Sequence, residues 1–567
     1  MPWFPPTERR PVRTVLTAAA LTALLAATTS CAESQRDDDS GSGGSSSAGG
    51  GGTFVFAASS DPSSLDPSFA SDGETFRVSR QIFEGLVGTV PGTADPAPLL
   101  AESWTTSADG LTYTFTLREG VEFSDGTPFD AEAVCANFER WYNRTGIQQS
   151  ENLSYYYRSL FRGFKENGDA DLQTPLYKSC TADAANQATI ALNAPFAGFI
   201  AALSLPALSM QSPTAIAEHR GDEVGGTDSD PRFSEYASAH PTGTGPFLFD
   251  SWDRGQQVVL KPNPNYWGEK AKVDEVVIRT ISDGTARRQA LQSGDIDGYD
   301  LVAPADVAGL EADGFQIEQR KPFNILYLGI NQAVPALQDI RVRQAIAHAL
   351  DKEALATGTL PEGTEPATQF IPDTVVGYAE DVPTYPHDVA RARQLLAEAG
   401  QPDLTLDFVY PTGVSRPYMP NPEDTFKVLS TQLAEAGITV NPVPLKWTPD
   451  YLDRVQGTPD HGLHLLGWTG DYNDPDNFVG VFFGKKSNEW GFDDPELFGA
   501  LDQARGLPTQ EAQVPAYQAI NRQIMTKLPG VPLASPIPSL AFSAEVSGYE
   551  PSPVQDEVWN TISLQGS

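Results

Sequence analysis

The chain has 567 residues and carries 38 Lys plus Arg against 74 Asp plus Glu, a formal net charge of −36. Nucleic acid and anionic lipid surfaces are both held through clustered basic residues, so this balance speaks against either as a partner. Hydrophobic residues at 40% and aromatics at 10% argue against global disorder, and the length predicts three or four domain-sized units.

The N-terminus reads as an export signal. Glu8-Arg9-Arg10-Pro11-Val12-Arg13 precedes an apolar stretch from Val15 to Ala27, and small residues Thr28, Thr29 and Ser30 lead to Cys31. A basic start, a short apolar run and small residues predict a secretory signal over residues 1–30, too short for a permanent span. No later window holds about 18 apolar residues, so no other transmembrane segment is expected. Cys31 after the small residues resembles the lipobox of bacterial lipoproteins, although Thr28 stands where that motif usually has Leu. The resemblance implies a diacylglyceryl group on Cys31. From Ser40 to Gly52 the chain holds only Ser, Gly and Ala, so residues 31–52 are expected to be a flexible tether. Cys135 and Cys180 then remain, and an oxidising compartment predicts that they pair.

The folded body begins with a strand through Phe54, Val55 and Phe56, closed by a Ser59-Ser60-Asp61-Pro62 turn. Leu111 to Leu117 alternates, as a half-buried strand does. Asp130 is placed to cap a helix carrying Val134, Phe138 and Trp141 at helical spacing. Further helices are predicted over 340–350, over 389–399 with a stop at Gly400, and over 425–436 with a stop at Gly437. A strand through Ile438, Thr439 and Val440 follows. Helices and strands alternate without repeats, so the class is α/β with mixed sheets.

Enzyme signatures fail when tested. There is no His-Glu-x-x-His; His461 and His464, three apart in an apparent strand, are expected on opposite faces. Gly243-Thr244-Gly245 has Leu248 where a dinucleotide fingerprint needs its third Gly. Gly480 to Lys485 is one residue too short for a phosphate loop. The acidic run from Asp471 to Asp476 lacks the Gly of a calcium loop and has Phe482 where the bidentate Glu belongs. No Gly-x-Ser-x-Gly elbow occurs. The chain is read as not an enzyme, with no cofactor and no metal.

A series of segments occurs in order across nearly the whole body. They are Ser60-Asp61-Pro62-Ser63-Ser64-Leu65-Asp66-Pro67, Leu100-Ala101-Glu102-Ser103-Trp104, and Leu117 to Pro128. Gly243-Thr244-Gly245-Pro246-Phe247, Asn265-Tyr266-Trp267-Gly268, Arg341-Val342-Arg343-Gln344-Ala345 and Gly467-Trp468-Thr469-Gly470-Asp471 complete it. The set resembles the family 5 solute-binding proteins of ABC importers, which include peptide and dipeptide receptors. That resemblance implies a two-lobed, periplasmic-binding-protein-like (type II) α/β fold with an inserted subdomain. Lobe I would comprise residues 53–81, 236–322 and 533–567, the insert 82–235, and lobe II 323–532. Gly243 and Gly245 are expected to occupy places a side chain would obstruct, and Asn265-Tyr266-Trp267 to pack rather than touch ligand.

A free peptide is a zwitterion, so its receptor needs an anion for the ammonium and a cation for the carboxylate. The resemblance assigns these roles to Asp471 and to Arg416, which precedes Pro417-Tyr418-Met419-Pro420-Asn421. It makes Trp468 an aromatic platform and offers Ser60 and Asn331 as contacts to the ligand backbone. It also directs one of Tyr155, Tyr156 and Tyr157 to the ligand without fixing which. Short peptides, an ABC permease and the membrane through the lipid are the expected partners, and the receptor is expected to be a monomer. Dipeptides and longer peptides both remain open, as do a nickel chelate, haem or an oligosaccharide on the same fold. A secreted hydrolase is the remaining alternative.

Overall fold

The computed structural model describes residues 51–565; the expected signal segment, Cys31 and the tether up to residue 50 lie outside them. Gly52 already belongs to the folded body, donating its N–H to Asp274 (2.9 Å). Among the described residues no helix is long and apolar enough to cross a membrane.

Three sheets organise the body. A seven-stranded sheet has the order Phe247–Asp253, Gln257–Pro262, Glu275–Thr280, Thr53–Ala58, Gly298–Asp300, Ser539–Phe542, Gln316–Gln319. Its centre is the strand predicted from Phe54 and Phe56, whose rings pack with Phe542 and Trp559 in one core. A six-stranded sheet has the order Glu365–Pro366, Gly530–Ser535, Asn324–Ile330, Leu463–Thr469, Thr405–Thr412, Thr439–Lys446, and a second, larger core surrounds it. Pro442 and Pro444 lie in its edge strand, where a missing N–H removes no ladder bond. The third sheet runs Ala101–Thr106, Thr112–Leu117, Gln187–Leu192, Tyr177–Ala184 and has its own core. Tyr113, Phe115 and Leu117 point into that core, as the alternation predicts.

Helix Ala131–Tyr142 covers the third sheet, capped by the Asp130 side chain on the Ala133 N–H (2.9 Å), with Val134, Phe138 and Trp141 buried. Cys135 on this helix and Cys180 on strand Tyr177–Ala184 form a disulfide, with Cα atoms 5.2 Å apart.

The chain crosses from the seven-stranded to the six-stranded sheet at residues 320–323 and returns at 536–538. Strand Gly530–Ser535 is still in the six-stranded sheet, so the return falls a few residues beyond the expected 532/533 boundary. The crossings are tied together: the Arg320 N–H donates to the Pro538 carbonyl (3.0 Å), and the Asn324 amide to that of Pro536 (3.1 Å). Buried Arg320 also anchors the crossing to the seven-stranded body. It grips Asp300 through Nη1 (2.8 and 2.9 Å) and Glu557 through Nε (2.5 Å). Asp300 accepts from Arg77 as well (2.8 Å), and Arg77 holds Glu74 (2.7 Å), which in turn accepts the Ser59 N–H and hydroxyl. Burial opposes the charge on Asp300, but the two guanidinium groups outweigh it and hold the carboxyl well below its ordinary range.

Two of the segments that carry the resemblance meet at Glu84. Thr244 Oγ1 (2.7 Å), Tyr266 OH (2.8 Å) and Trp267 Nε1 (2.8 Å) all donate to its buried carboxyl. A Cβ on Gly243 or Gly245 would strike the backbone at Ile82, so both glycines serve a close crossing, as expected. Burial pushes Glu84 up to about 7 against those three hydrogen bonds. An unfolded Glu titrates near about 4.3. The folded form therefore holds its proton more tightly, and this stabilisation is lost as pH rises from about 4 through 7. We expect Glu84→Gln to flatten the fall in melting temperature between pH 5 and pH 8; an unchanged slope would refute this role.

Candidate functional site

The site forms where the loop after strand Leu463–Thr469 meets helix Glu151–Phe161 of the third body. Asp471 is half-buried in that loop. Its Oδ1 accepts from the Tyr156 hydroxyl (2.8 Å) and its Oδ2 from the Asn477 amide (3.0 Å), while its own N–H donates to Asn477 Oδ1 (2.7 Å). Burial pushes Asp471 up to about 6, against the two side-chain hydrogen bonds and the field of Arg80. Burial and the nearby Asp471 charge drive Tyr156 well above its ordinary range, so its hydroxyl stays a donor.

The three tyrosines have different surroundings. Tyr156 reaches Asp471, and Tyr155 lies against Trp468, ring centroids 6.4 Å apart. Tyr157 turns inward to stack on Phe161 and Phe164. Trp468 is half-buried, edge-on to Phe482, and its indole N–H is buried with no hydrogen-bond partner.

Arg416 comes to the same sheet by another route. The segment after strand Thr405–Thr412 closes a small loop in which the Arg416 and Met419 backbones exchange hydrogen bonds (3.1 and 2.9 Å). Tyr418 from this loop lies flat on Gly467, where any Cβ would run into its ring and the Ile325 carbonyl. Gly467 therefore joins the Arg416 segment to the strand bearing Trp468. The Arg416 guanidinium sits 4.3 Å over the Trp447 ring. It forms no ion pair among the described residues, and its Nε is buried without a partner.

Asn331 and Ser60 are the remaining expected contacts. Asn331 is fully buried; its amide donates to the Pro459 and Asn488 carbonyls (3.3 and 2.9 Å), and its Oδ1 accepts the Ala333 N–H (2.9 Å). It follows Ile330, whereas Trp468 pairs with Ile325, so about 20 Å of strand separates the two. That amide holds the Pro459 and Asn488 loops. Ser60 is exposed at the end of strand Thr53–Ala58; its neighbour Ser59 is bound to Glu74 and Asp61 accepts from Trp252. The histidine expectation is corrected. His461 precedes strand Leu463–Thr469, so alternation does not govern it, and its ring lies 5.0 Å from that of His464 beside Glu489.

A family model described as bacterial extracellular solute-binding proteins, family 5 Middle, matches residues 95–490. The chain belongs to this family. It is 31% identical to heme-binding protein A of Haemophilus influenzae over 91% of this chain and 92% of that protein. It is 30% identical to di/tripeptide-binding protein 2 of Pseudomonas aeruginosa over 90% and 95%. Among solved structures, the periplasmic binding protein DppA of Helicobacter pylori, in complex with the peptide STSA, matches with a TM-score of 0.74 and 28% identity over 91% of this chain and 99% of that one. The paired crossings and two large sheets are accordingly those of a two-lobed type II periplasmic-binding fold.

The Gly467 contact gives a test of how the site is built. Gly467→Ala is expected to cost about 1–3 kcal/mol in denaturant unfolding by displacing Tyr418. Unchanged stability would contradict the close approach.

Proposed function

We propose that this protein is an extracytoplasmic receptor that captures short peptides and passes them to an ABC permease. The observation that carries the reading is that two unlike charges on segments of the six-stranded body each lack an opposite-charge partner among the described residues. Asp471 presents a half-buried carboxylate beside an aromatic platform, and Arg416 presents a guanidinium with no acid partner among the described residues. A zwitterionic ligand supplies the two missing counter-charges, its ammonium to Asp471 and its carboxylate to Arg416. A sugar supplies neither.

On this reading the receptor performs no chemistry. The lobes close on the ligand about the crossings at 320–323 and 536–538, and the closed form is what the permease reads. Residues 53–81, 236–322 and the C-terminal segment form one lobe, 82–235 the insert, and the remainder the second lobe. The reading includes a lipid on Cys31, a tether behind it, and a monomeric receptor. The known ligands of the relatives support it: the Pseudomonas protein is named for di- and tripeptides, and the Helicobacter structure holds a tetrapeptide.

Asp471→Ala and Arg416→Ala are each expected to weaken peptide binding about 30-fold or more by calorimetry, while melting temperature stays within a few degrees. Unchanged affinity in both variants would overturn the site. Binding an ammonium needs Asp471 ionised, so wild-type affinity is expected to level off above pH 7 and to fall as pH drops through about 6. Haem titrated into the same protein is the arm that would favour the ligand named for the Haemophilus relative.

A further inference from the structure

Arg505 stands at the end of helix Pro495–Arg505 in the six-stranded body. Its Nη1 donates to Asp476 Oδ2 (2.8 Å), so it is anchored in its own lobe, and Asp476 is itself steadied by the Tyr517 hydroxyl (3.2 Å). Its Nη2 crosses into the third body and donates to the carbonyls of Ser159 (2.9 Å) and Leu160 (2.8 Å). Its guanidinium lies 4.4 Å over the Phe196 ring of that same body. Ser159 and Leu160 close helix Glu151–Phe161, whose last-turn carbonyls have no helical N–H to accept.

That helix is the one bearing Tyr155 and Tyr156. It is therefore held to the six-stranded body at two points: at its middle by the Tyr156 hydroxyl on Asp471, and at its C-terminal turn by Arg505 on the Ser159 and Leu160 carbonyls. Of the four residues between Asp471 and Asp476, three also meet the third body. Tyr472 is buried in the third body's core, Asn473 donates to Asp95 (2.9 Å), and Asp474 packs against Gly198.

We infer that Arg505 is a positioning residue, a clamp that holds the tyrosine helix over Asp471 in the closed receptor. The inference rests on the receptor reading above. Arg505 bonds to Asp476, Ser159 and Leu160 and not to Asp471 itself. Its bonds to Ser159 and Leu160 exist only while the third body and the six-stranded body are together, whereas its bond to Asp476 survives their separation. The clamp thus favours the closed state over the open one, and a residue of that kind acts on ligand release rather than capture. It also explains why an arginine stands here: one planar group serves a carboxylate on its own side and two carbonyls on the other.

The test is stopped-flow binding of a short peptide to the wild type, Arg505→Ala, Arg505→Lys and Asp476→Asn, with small-angle scattering of each protein without ligand. Arg505→Ala is expected to speed release on the order of tenfold while the association rate stays within about twofold. Arg505→Lys, with a single ammonium in place of the fork, is expected between Ala and wild type. Asp476→Asn, which frees Arg505 from its anchor, is expected to speed release as well. Ligand-free Arg505→Ala is expected to have a larger radius of gyration than the wild type. If the wild type binds peptide and Arg505→Ala releases it at the wild-type rate, the clamp is refuted and the receptor reading stands. If the wild type binds no peptide, the receptor reading falls, and the scattering comparison alone decides the clamp: equal radii refute it. Should Arg505→Ala fail to fold, Arg505→Lys carries both readouts.

Discussion

The hydrogen bond from Tyr156 to Asp471 is the contact on which the rest of this site depends. It joins a loop of the six-stranded body to a helix of the third body, and it partly desolvates a carboxylate that has no cation bonded to it. Burial raises the cost of that charge, and the two neutral donors meet only part of it. A ligand ammonium arriving at Asp471 would supply the rest. Recognition and closure then draw on one interaction, because the tyrosine reaches the carboxylate only when the bodies are together.

Rigidity on the far side makes such closure specific. Arg320, on the first crossing, is locked by Asp300 and Glu557, and the same cluster runs through Arg77 and Glu74 to the Ser59 turn. Each of these buried charges has an opposite charge in hydrogen-bond reach, the condition under which burying them is tolerable. The first crossing therefore leaves the seven-stranded body from a buried, charge-paired base, and the second runs beside it, tied at Pro536 and Pro538.

Local patterns told the sequence reader a good deal, and distant acceptors told nothing. The Asp130 cap and the alternation from Thr112 to Leu117 describe short-range geometry, and both stand in the structure. Helix Pro422–Glu435 begins three residues before its expected start, because Asn421 as cap and Pro422 in the first turn carry the signal ahead of the first apolar residue. Helix Glu151–Phe161, which carries Tyr155, Tyr156 and Tyr157, has a kink at Ser154, where the backbone leaves helical angles, and no sequence pattern announced it. The partners of the Asn331 amide are loop carbonyls more than 120 residues away, which no local pattern announces. Arg505 left no trace at all, since its partners across the boundary are backbone carbonyls, which every residue has.

The central claim is that Asp471 receives the ammonium of a peptide. The most direct measurement compares calorimetric titrations of one short peptide and its N-acetylated form into the full wild-type protein at pH 7.5. Acetylation removes the positive charge and little else, so binding is expected to fall about 100-fold or more, as for an ionic partner lost from a desolvated pair. Equal affinity for the two forms would contradict the claim and leave Asp471 a structural link between bodies.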